Sequence, residues 1–437
     1  METLTLEIVD LDIQGYGIAH YNNQTYFVKN ALIGEEVECK VEYVRNKIYY
    51  CSVIKFLKES DLRVDPPCIY FSKCGGCNLQ HLTYEKSLKY KQNLVKNTIN
   101  KITNLDVNVE RTVASKNFYY RNKMAMPVRV INKKPTLCMF AENSHTPIKI
   151  EKCLIQEENF AILIDILNAF LLDNKISCYN EKTFKGKLKF IVARIINQNL
   201  LLTFVVNERM NCDFKALYNK LLQHYSKVGI SLNINTLKTN IILTDKLIHI
   251  IGEKFLELNE FGFKFKIDNL SFLQVNTDIQ NKIYSKVLDF ISDDIVVNAY
   301  SGAGLLTAIL SKTAKKVYGL EIVPQAHFNA ENLMRENNIL NVQNILGDAN
   351  VKLEEISKDI SSYSLVVDPP RKGLEDKILA TILKTLPKKI VYISCNPISL
   401  SKNINSLKEK YKIEKVIPFD MFPNTCHVET FCVLTLK

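Results

Sequence analysis

Hydrophobic and polar residues alternate along the first 59 positions, a pattern that predicts short β-strands. The alternation covers residues 4–9, 25–28 and 36–44, and a glycine-punctuated turn at residues 15–19 leads into another strand. A strand at 48–57 brings the total to about five. Five short strands in so small a segment are typical of an OB-like barrel, a common nucleic-acid platform. A purely structural β-cap is the alternative. We predict a small β-barrel domain over residues 1–59.

The middle of the chain mixes helical and strand patterns. After a double proline, the periodicity predicts helices at residues 84–101 and 158–172 and a strand at 190–196. Aromatic and basic residues are interleaved over residues 119–124, as in an RNA-facing strand or in an ordinary sheet with a solvated face. We predict a central α+β domain over residues 60–255.

From about residue 283 the pattern becomes a regular alternation of strand and helix. Such alternation predicts a doubly wound, mainly parallel α/β sheet over residues 256–437. In open sheets of this kind, ligands bind just past the carboxyl ends of the strands. Strands are predicted at residues 295–297, 316–320, 342–346, 364–367 and 389–394.

Composition narrows the class of protein. A chain of 437 residues is long enough for two or three domains, and it has no apolar run of transmembrane length and no signal-peptide pattern. We expect a soluble, cytoplasmic protein with no membrane partner. Its net charge of +11 favours a polyanionic partner such as nucleic acid, although a lysine-rich composition that maintains solubility is the alternative. Twelve cysteines in an intracellular chain indicate buried thiols, metal ligands or catalytic groups.

The first strand ends of the predicted sheet suggest a cofactor pocket. The glycine loop at residues 301–304 opens a helix, and Glu321 ends the next strand, where a carboxylate can bind two ribose hydroxyls. The loop lacks the full dinucleotide fingerprint, so a nucleoside ligand such as S-adenosylmethionine fits better than a dinucleotide. Asp348 ends the third strand within reach of an adenine amino group, and Asp368 ends the fourth before two prolines. Ordinary turn chemistry is the alternative.

Cys395 follows the fifth predicted strand and is a candidate nucleophile. A lone cysteine there is more often structural, but a thiol beside a methyl donor suits one reaction, methylation of a pyrimidine at carbon 5. That carbon becomes nucleophilic only after a thiolate adds to carbon 6, and a base must then remove the carbon-5 proton. His427 and Glu429 are the candidate bases near the C-terminus, and we favour Glu429.

Several motifs resemble one known family over essentially the whole chain. The sequence resembles the S-adenosylmethionine-dependent RNA uracil-C5 methyltransferases, most closely the bacterial 23S rRNA (uracil-5-)-methyltransferases that carry an N-terminal TRAM domain. The fold that this implies is a Rossmann-like class I methyltransferase domain behind a TRAM barrel and a central iron–sulfur domain. The motifs that carry the resemblance are the β-rich N-terminus, the cysteine cluster, Ser271-Phe272-Leu273-Gln274-Val275-Asn276, the glycine loop, Asp368-Pro369-Pro370-Arg371-Lys372-Gly373, Ser394-Cys395-Asn396-Pro397 and His427-Val428-Glu429-Thr430.

The resemblance also implies roles for individual residues. Cys395 matches the nucleophile and Glu429 the proton-abstracting base. One departure is Asn298, which stands where many members have an aspartate and which lacks its charge. The positions that match S-adenosylmethionine-binding residues of the family are Gln274, Tyr300, Glu321 and Asp368.

A cysteine cluster stands in the predicted central domain. Cys68-x5-Cys74-x2-Cys77 brings three thiols together, and Cys153 could be the fourth. Four thiolates indicate zinc or an iron–sulfur cluster, and the spacing does not choose between them. The resemblance implies a [4Fe–4S] cluster on these four cysteines, with unliganded thiols as a further alternative.

We therefore expect a monomeric enzyme that makes 5-methyluridine in 23S rRNA, with the target uridine flipped out of a loop. Three alternatives stay open: the same chemistry on the T-loop uridine of tRNA, an amino-methyltransferase that uses Asp368-Pro369-Pro370, and a non-catalytic RNA-binding module. The second and third would leave Cys395 and Glu429 without a chemical role.

Overall fold

The computed structural model describes residues 3–360 and 362–437. The strands are β1 (Thr3–Glu7), β2 (Asp10–Leu11), β3 (Gly17–Tyr21), β4 (Gln24–Lys29), β5 (Glu36–Arg45), β6 (Ile48–Lys58), β7 (Lys123–Ile131), β8 (Lys134–Phe140), β9 (Pro147–Lys149), β10 (Leu188–Ile196), β11 (Asn199–Val206), β12 (Lys227–Ile234), β13 (Leu247–Gly252), β14 (Leu256–Glu260), β15 (Phe263–Ile267), β16 (Ile295–Ala299), β17 (Lys316–Glu321), β18 (Val342–Leu346), β19 (Ser364–Val367), β20 (Lys389–Ser394), β21 (Tyr411–Phe419) and β22 (Glu429–Leu436). The helices are α1 (Tyr84–Thr103), α2 (Phe160–Asp173), α3 (Phe214–Leu221), α4 (Thr277–Phe290), α5 (Leu305–Leu310), α6 (Pro324–Glu336), α7 (Ala349–Ile356), α8 (Asp376–Thr385) and α9 (Pro397–Leu407).

The first sheet closes on itself. Its strand order is β1-β5-β6-β4-β3-β2, and its two ends, β1 and β2, are neighbouring parts of one extended segment. The amide of Val9 between them donates to the Ile18 carbonyl of β3 at 2.8 Å. A closed sheet leaves few unpaired edges, and apolar side chains that alternate along each strand fill the interior. The predicted small barrel is therefore present.

The second sheet has the order β13-β12-β11-β10-β7-β8-β9, and helices α2 and α3 pack on it. The prediction of an RNA-facing strand over residues 119–124 is wrong for most of this segment, because β7 begins only at Lys123. Tyr120 is buried, and its hydroxyl donates to the Pro423 carbonyl at 3.1 Å. The aromatic ring thus joins two parts of the chain instead of facing solvent.

The third sheet has the order β18-β17-β16-β19-β20-β22-β21, with β16 to β20 parallel and β22 antiparallel to β20. The strand order reverses between β16 and β19, which is the position where doubly wound sheets bind ligands. The predicted strands at this edge are all present. The carboxyl ends of β16, β17, β19 and β20 consequently meet along one edge of the sheet.

Helices cover both faces of the third sheet. Residues of α7, α8 and α9 pack on one face, and residues of α4, α5 and α6 pack on the other. Helix α1, which precedes the second sheet in the chain, joins the first group through Val95 and Ile99. In sequence order, a helix that packs on the third sheet therefore comes before the strands of the second sheet. Among the described helices, none is both long and apolar enough to span a membrane.

Candidate active site

The residues predicted to carry the chemistry lie at one edge of the third sheet. Glu321 is the last residue of β17, Asp368 follows β19, and Cys395 follows β20. Parallel neighbours place these strand ends side by side. Three side chains that are far apart in sequence thus lie along the same edge of the sheet.

The glycine loop between β16 and α5 requires its glycines. Gly304 has a φ of +87°, and a Cβ built on it would lie 2.7 Å from the Cβ of Ala330 in α6. Gly302 has a φ of +57° but open space around it, so only its backbone conformation favours glycine. Tyr300 also adopts a positive φ of 63°, an uncommon conformation for a large side chain. The loop is a tight turn that packs closely against α6 at Gly304.

A cavity of about 560 Å³ lies in front of this loop. This volume is in the range of small-molecule and cofactor sites. Ser301 lies on its wall, and the buried Ser301 hydroxyl has no hydrogen-bond partner among the described residues. A buried hydroxyl without a partner is costly, so a ligand that bonds it is expected. All four residues predicted to bind the cofactor line the cavity: Gln274, Tyr300, Glu321 and Asp368.

The Glu321 carboxylate is oriented by two backbone amides. One oxygen accepts from Gly302 N at 2.8 Å, and the other accepts from Val323 N at 2.7 Å. A carboxylate has about four acceptor positions, so two remain for a diol. Asn298, which stands in place of an aspartate, also lines the cavity, and its amide donates to Thr307 Oγ1 at 2.9 Å. It therefore stabilises the start of α5.

Asp348 lies just past the end of β18, as predicted, and its carboxylate caps the next helix. It accepts from the backbone and side-chain amides of Asn350, both at 2.9 Å, at the N-terminus of α7. Among the described residues that line the cofactor cavity, Asp348 is not present, but its charge adds to the burial that raises the pKa of Tyr300 on the cavity wall. Its contact with an adenine stays a prediction. Helix capping uses this carboxylate because the first amides of a helix have no partner within it.

Cys395 and Glu429 face each other across two neighbouring strands. In the antiparallel pair of β20 and β22, Ser394 lies opposite Thr430. Cys395 follows Ser394, and Glu429 precedes Thr430, so the two residues occupy the adjoining end of the ladder. Cys395 is partly exposed, whereas Glu429 is buried. The register of one strand pair thus places the predicted nucleophile beside the predicted base.

The buried carboxyl groups of Glu429 and Asp368 and the guanidinium of Arg371 determine the electrostatic environment of the Cys395 thiol. Burial raises the pKa of Glu429 well above its ordinary value, Asp368 raises it further, and Arg371 lowers it. Burial raises the pKa of Asp368 to about 7. Burial also raises the pKa of Cys395, the negative charges of Glu429 and Asp368 add to this, and Arg371 opposes it. The thiol and both carboxyl groups therefore act on one another, and the pKa of the base is raised above that of an exposed glutamate.

A second cavity, of about 240 Å³, opens at Cys395. His427, the other candidate base, lies on its wall, and burial lowers the pKa of its imidazole. Residues from distant parts of the chain complete the wall. They are Ile13 and Gln14 of the barrel, Leu94 and Thr98 of α1, Arg371, and Asn396 to Ile398 with Cys426 and Val428.

The segment 420–427, which leads to Glu429, is held from several sides. Lys91 of α1 pairs with Asp420 at 2.5 Å and donates to the Phe422 carbonyl at 3.0 Å, and both charged side chains are fully buried. Asn78 accepts from Cys426 N at 2.9 Å and donates to the Gln14 carbonyl of the barrel at 2.9 Å. A buried ion pair and a bridging amide of this kind specify one position of a segment. Asn78 thus connects the barrel, the segment after Cys77, and the catalytic cavity.

The four predicted metal-ligating cysteines lie in one region. Burial raises the pKa of Cys77 to about 12, and Cys153, Cys74 and Cys68 raise it further by their charges. Cys74 and Cys153 receive backbone N–H hydrogen bonds that lower their pKa against the effect of burial. Over residues 3–360 and 362–437, however, no three His, Cys, Asp or Glu side chains converge on a single metal position. The structure therefore brings these thiols together without forming a recognisable metal site.

Several residues of the site carried no signal that sequence reasoning used. Arg371 was part of a motif but had no assigned role. Burial raises the pKa of Tyr284, and the nearby charges of Asp368 and Glu429 raise it further. Ser301 was noted only as a loop residue. Ile13 and Gln14 lie in an ordinary turn of the barrel, between β2 and β3, so nothing in the local pattern connects them to Cys395.

Comparison with known proteins agrees with this geometry. A family model described as tRNA (uracil-5-)-methyltransferase matches residues 83–437, and a TRAM domain model matches residues 1–50. A relative from Clostridium tetani, named as an uncharacterized RNA methyltransferase, is 37% identical over 442 residues, which cover 99% of this chain and 96% of the relative. A relative from Listeria innocua with the same kind of name is 36% identical over 444 residues, covering 100% and 98%.

A solved structure has the same architecture. The tRNA (uracil-54, C5)-methyltransferase of Pyrococcus abyssi, crystallised with S-adenosyl-L-homocysteine, matches with a TM-score of 0.80 and 24% identity over 99% of each chain. At this identity the likeness shows the fold, a class I methyltransferase domain with the additional domains around it. The family model covers most of the chain, together with its strand-end residues. The chain therefore belongs to the tRNA (uracil-5-)-methyltransferase family and carries an N-terminal TRAM domain.

Proposed function

We propose that this protein forms 5-methyluridine in 23S rRNA, with Cys395 as the nucleophile and Glu429 as the base. The observation that carries the proposal is the arrangement of Cys395, Glu429 and Asp368. The thiol and the base lie on adjoining strand ends, and Asp368 acts on both while it also lines the cofactor cavity. Methylation at carbon 5 of a pyrimidine requires a thiol, a base and a methyl donor at one place. An amino-methyltransferase would need neither Cys395 nor Glu429.

The cofactor in this proposal is S-adenosylmethionine. Glu321, with two free acceptor positions, would bind the ribose diol, and Gln274, Tyr300 and Asp368 would hold the rest of the ligand. The unpartnered Ser301 hydroxyl supports a polar ligand in the cavity. When bound, S-adenosylmethionine supplies a methyl group on a positively charged sulfur. The archaeal enzyme of the same fold was crystallised with the demethylated form of this cofactor.

Cys395, which opens on the catalytic cavity, and the buried Glu429 beside it would act in a fixed order. The Cys395 thiol loses its proton, and the sulfur forms a bond to carbon 6 of uracil, which moves an electron pair toward carbon 5 and oxygen 4. After carbon 5 has taken the methyl group, the Glu429 carboxylate removes the proton from that carbon. The electron pair released by the C–H bond then breaks the C6–S bond, and Cys395 leaves as a thiolate. One proton is released in total, and no oxidant is needed.

A groove with lysines on its wall supports an RNA substrate. A cavity of about 620 Å³ between the barrel and α1 is lined by Lys86, Lys89 and Lys101 together with Asp10 and Asp12, so its lysines outnumber its carboxylates by one. It shares Ile13, Gln14, Leu94 and Thr98 with the catalytic cavity, so the two are continuous. Lysines along a groove neutralise phosphates, and the target base of a flipped nucleotide has to reach Cys395. The sequence resemblance favours ribosomal RNA as the substrate, whereas the barrel does not distinguish it from tRNA, because the solved tRNA methyltransferase aligns with 99% of this chain.

The assay uses purified protein, labelled S-adenosylmethionine, and separately unmodified 23S rRNA and unmodified tRNA. We expect methyl transfer to 23S rRNA, located as 5-methyluridine by mass spectrometry of RNA fragments. Transfer to the T-loop uridine of tRNA alone would replace the substrate in this proposal. Methylation of neither RNA would refute the activity itself.

A covalent adduct tests the mechanism directly. RNA that contains 5-fluorouridine at the target position should remain attached to the wild-type protein, because fluorine cannot leave as a proton does. Glu429→Gln should accumulate a similar adduct on ordinary RNA, since the carbon-5 proton then has no acceptor. If His427→Ala trapped that adduct and Glu429→Gln turned over normally, the base would be His427.

We further propose that Cys68, Cys74, Cys77 and Cys153 hold a [4Fe–4S] cluster. One zinc ion with each sulfur at about 2.3 Å would need all four sulfurs around a single point. A cluster instead binds each thiolate to a different iron, and it accepts N–H hydrogen bonds to its sulfurs such as those at Cys74 and Cys153. When bound, it would crosslink the segment 68–77 to Cys153.

Metal analysis of anaerobically purified protein tests the cluster. We expect a brown protein with iron and acid-labile sulfide, and Cys77→Ala should lose both. Cys212→Ala, which removes a partly buried cysteine elsewhere in the same domain, is the matched control and should retain them. A colourless protein with one zinc per chain would contradict the assignment.

A further inference from the structure

A further cavity, of about 710 Å³, lies on the second sheet and takes part neither in the proposed cofactor binding nor in the proposed methyl transfer. It shares no lining residue with the cofactor cavity or with the catalytic cavity. We call it the central cavity. Its walls are strand residues of β7, β8 and β10 together with the segments 179–184 and 237–242, and Gly75 and Gly76 of the cysteine segment close one side.

A buried lysine points to an anionic ligand in the central cavity. Lys189 is only 4% exposed, and its ammonium lies 4.4 Å from the centre of the Tyr179 ring. The ammonium donates to one acceptor, the Leu237 carbonyl at 2.8 Å. Glu181 on the same wall is the carboxylate whose charge acts on Lys189, but it is shared with Arg129 and His145. Because one carboxylate shared among three basic groups balances only part of their charge, an anion in the cavity would complete this site.

Aromatic faces stand next to this charge. Phe184 is 44% exposed and adopts a φ of 57°, a strained conformation for a bulky side chain. The ammonium of Lys238 lies 4.2 Å from the centre of its ring. His145 provides a second flat surface, because its exposed ring is stacked on Phe140 at 5.0 Å with 14° between the two planes. Exposed rings beside lysines are the pattern by which proteins bind unpaired nucleotides.

The central cavity also adjoins the barrel. Glu142 on its wall pairs with Lys29 of β4 at 2.5 Å and accepts from the Tyr16 hydroxyl at 2.9 Å. This carboxylate is therefore neutralised by the barrel and does not repel an anion in the cavity. RNA held by the TRAM barrel would pass the mouth of the cavity.

We propose that the central cavity binds a second unpaired nucleotide of the RNA whose target uridine reaches Cys395. Its base would stack on Phe184 or on the Phe140–His145 pair, and its phosphate would meet Lys189 and Lys238. This inference deepens the proposed function and rests on RNA being the substrate. It makes recognition depend on two unpaired nucleotides at a set separation, because an RNA with only one of them fills only one cavity.

The test compares exposed substitutions that should not disturb folding. Phe184→Ala removes the stacking surface, and Lys238→Ala removes a phosphate contact. Lys182→Ala is the control: it removes an equal charge from the exposed turn that carries Phe184, at a position that does not line the cavity. The dissociation constant for an unmodified 23S rRNA hairpin is measured against salt concentration. Adduct formation with a trinucleotide containing 5-fluorouridine is measured in parallel, since that probe fills only the catalytic cavity.

We expect Phe184→Ala to weaken hairpin binding by about 5-fold or more, the smallest value that base stacking typically gives. Lys238→Ala should weaken binding and reduce the salt slope by about 1, and Lys182→Ala should stay within about 2-fold. The trinucleotide adduct should form at the wild-type rate in all three variants.

Three results would overturn the inference. The first is an unchanged hairpin affinity in Phe184→Ala, and the second is a loss of affinity in Lys182→Ala as large as that in Lys238→Ala. The third is that adenosine monophosphate alone binds the wild type more tightly than the hairpin and loses affinity in Phe184→Ala, which would identify a free-nucleotide site. Failure of the trinucleotide adduct in the wild type would instead refute the proposed chemistry, while hairpin affinity still decides the role of the cavity.

Discussion

The cofactor cavity and the catalytic cavity share an edge of one sheet but are assembled in different ways. Apart from Leu243, Thr244 and Asp245, the cofactor cavity is lined by residues between positions 265 and 368. The catalytic cavity combines the barrel, α1, and the ends of β19, β20 and the segment before β22. A cavity built within one domain depends on local turns, whereas one built from distant segments depends on how those segments dock. We therefore expect cofactor binding and catalysis to respond to different substitutions.

The largest difference between the effect on catalysis and the effect on cofactor binding should come from Cys395→Ala. Without the thiol, carbon 6 of uracil has no nucleophile, and turnover should fall by about 10⁴-fold or more, as when the nucleophile of a covalent mechanism is removed. The affinity for S-adenosylmethionine, measured by calorimetry, should stay within about 2-fold of the wild type. Retained methyl transfer would mean that this thiol is structural.

The opposite effect is expected for Glu321→Gln. The glutamine amide has one acceptor oxygen where the carboxylate has two. It therefore cannot accept from both Gly302 N and Val323 N and also bind a diol. The loss of a charged acceptor, about 1.5–3 kcal/mol, should weaken S-adenosylmethionine binding by about 10- to 150-fold. The turnover number at saturating cofactor should change much less. An unchanged affinity would place the ribose elsewhere.

Asn78→Ala tests whether docking controls the catalytic cavity. The substitution leaves Cys426 N without its partner and releases the Gln14 carbonyl of the barrel. An unsatisfied buried amide costs about 1–3 kcal/mol, so kcat/KM for RNA should fall by about 10-fold with cofactor affinity unchanged. Asn405→Ala, on the exposed surface of α9, is the matched control. Equal effects of both variants would exclude a positioning role for Asn78.

The smallest effect is a displacement of the pH profile in Arg371→Met. The Arg371 guanidinium lowers the pKa of both Cys395 and Glu429, and catalysis needs both groups deprotonated. Without it both pKa values rise, so the rate at neutral pH should fall by a few fold and recover as the pH increases. Lys372→Met removes the neighbouring exposed charge and should leave the profile in place. A profile that moves to lower pH would contradict this account of the charges.

Much of the third sheet could be predicted from the sequence. Strands ending at Glu321, Asp368 and Cys395 follow from local periodicity and turn residues, because buried parallel strands are short apolar runs with polar ends. The pattern did not reveal that Asp348 caps α7, since a carboxylate at a strand end serves equally well as a helix cap. Residues 119–122 lie before β7, and alternation of aromatic and basic residues does not reveal whether a ring such as Tyr120 is buried.

The sequence by itself determined the sheet, the glycine loop and the chemical types present at the strand ends, since each depends on residues within a few positions of one another. Only the tertiary structure decided that Lys91 pairs with Asp420, that Asn78 joins Gln14 to Cys426, and that Ile13 lines the cavity of Cys395. Contacts between segments hundreds of residues apart leave no periodic pattern in either segment. They arise when burial of separate apolar faces brings the domains together, and the polar groups at the junction then find their partners.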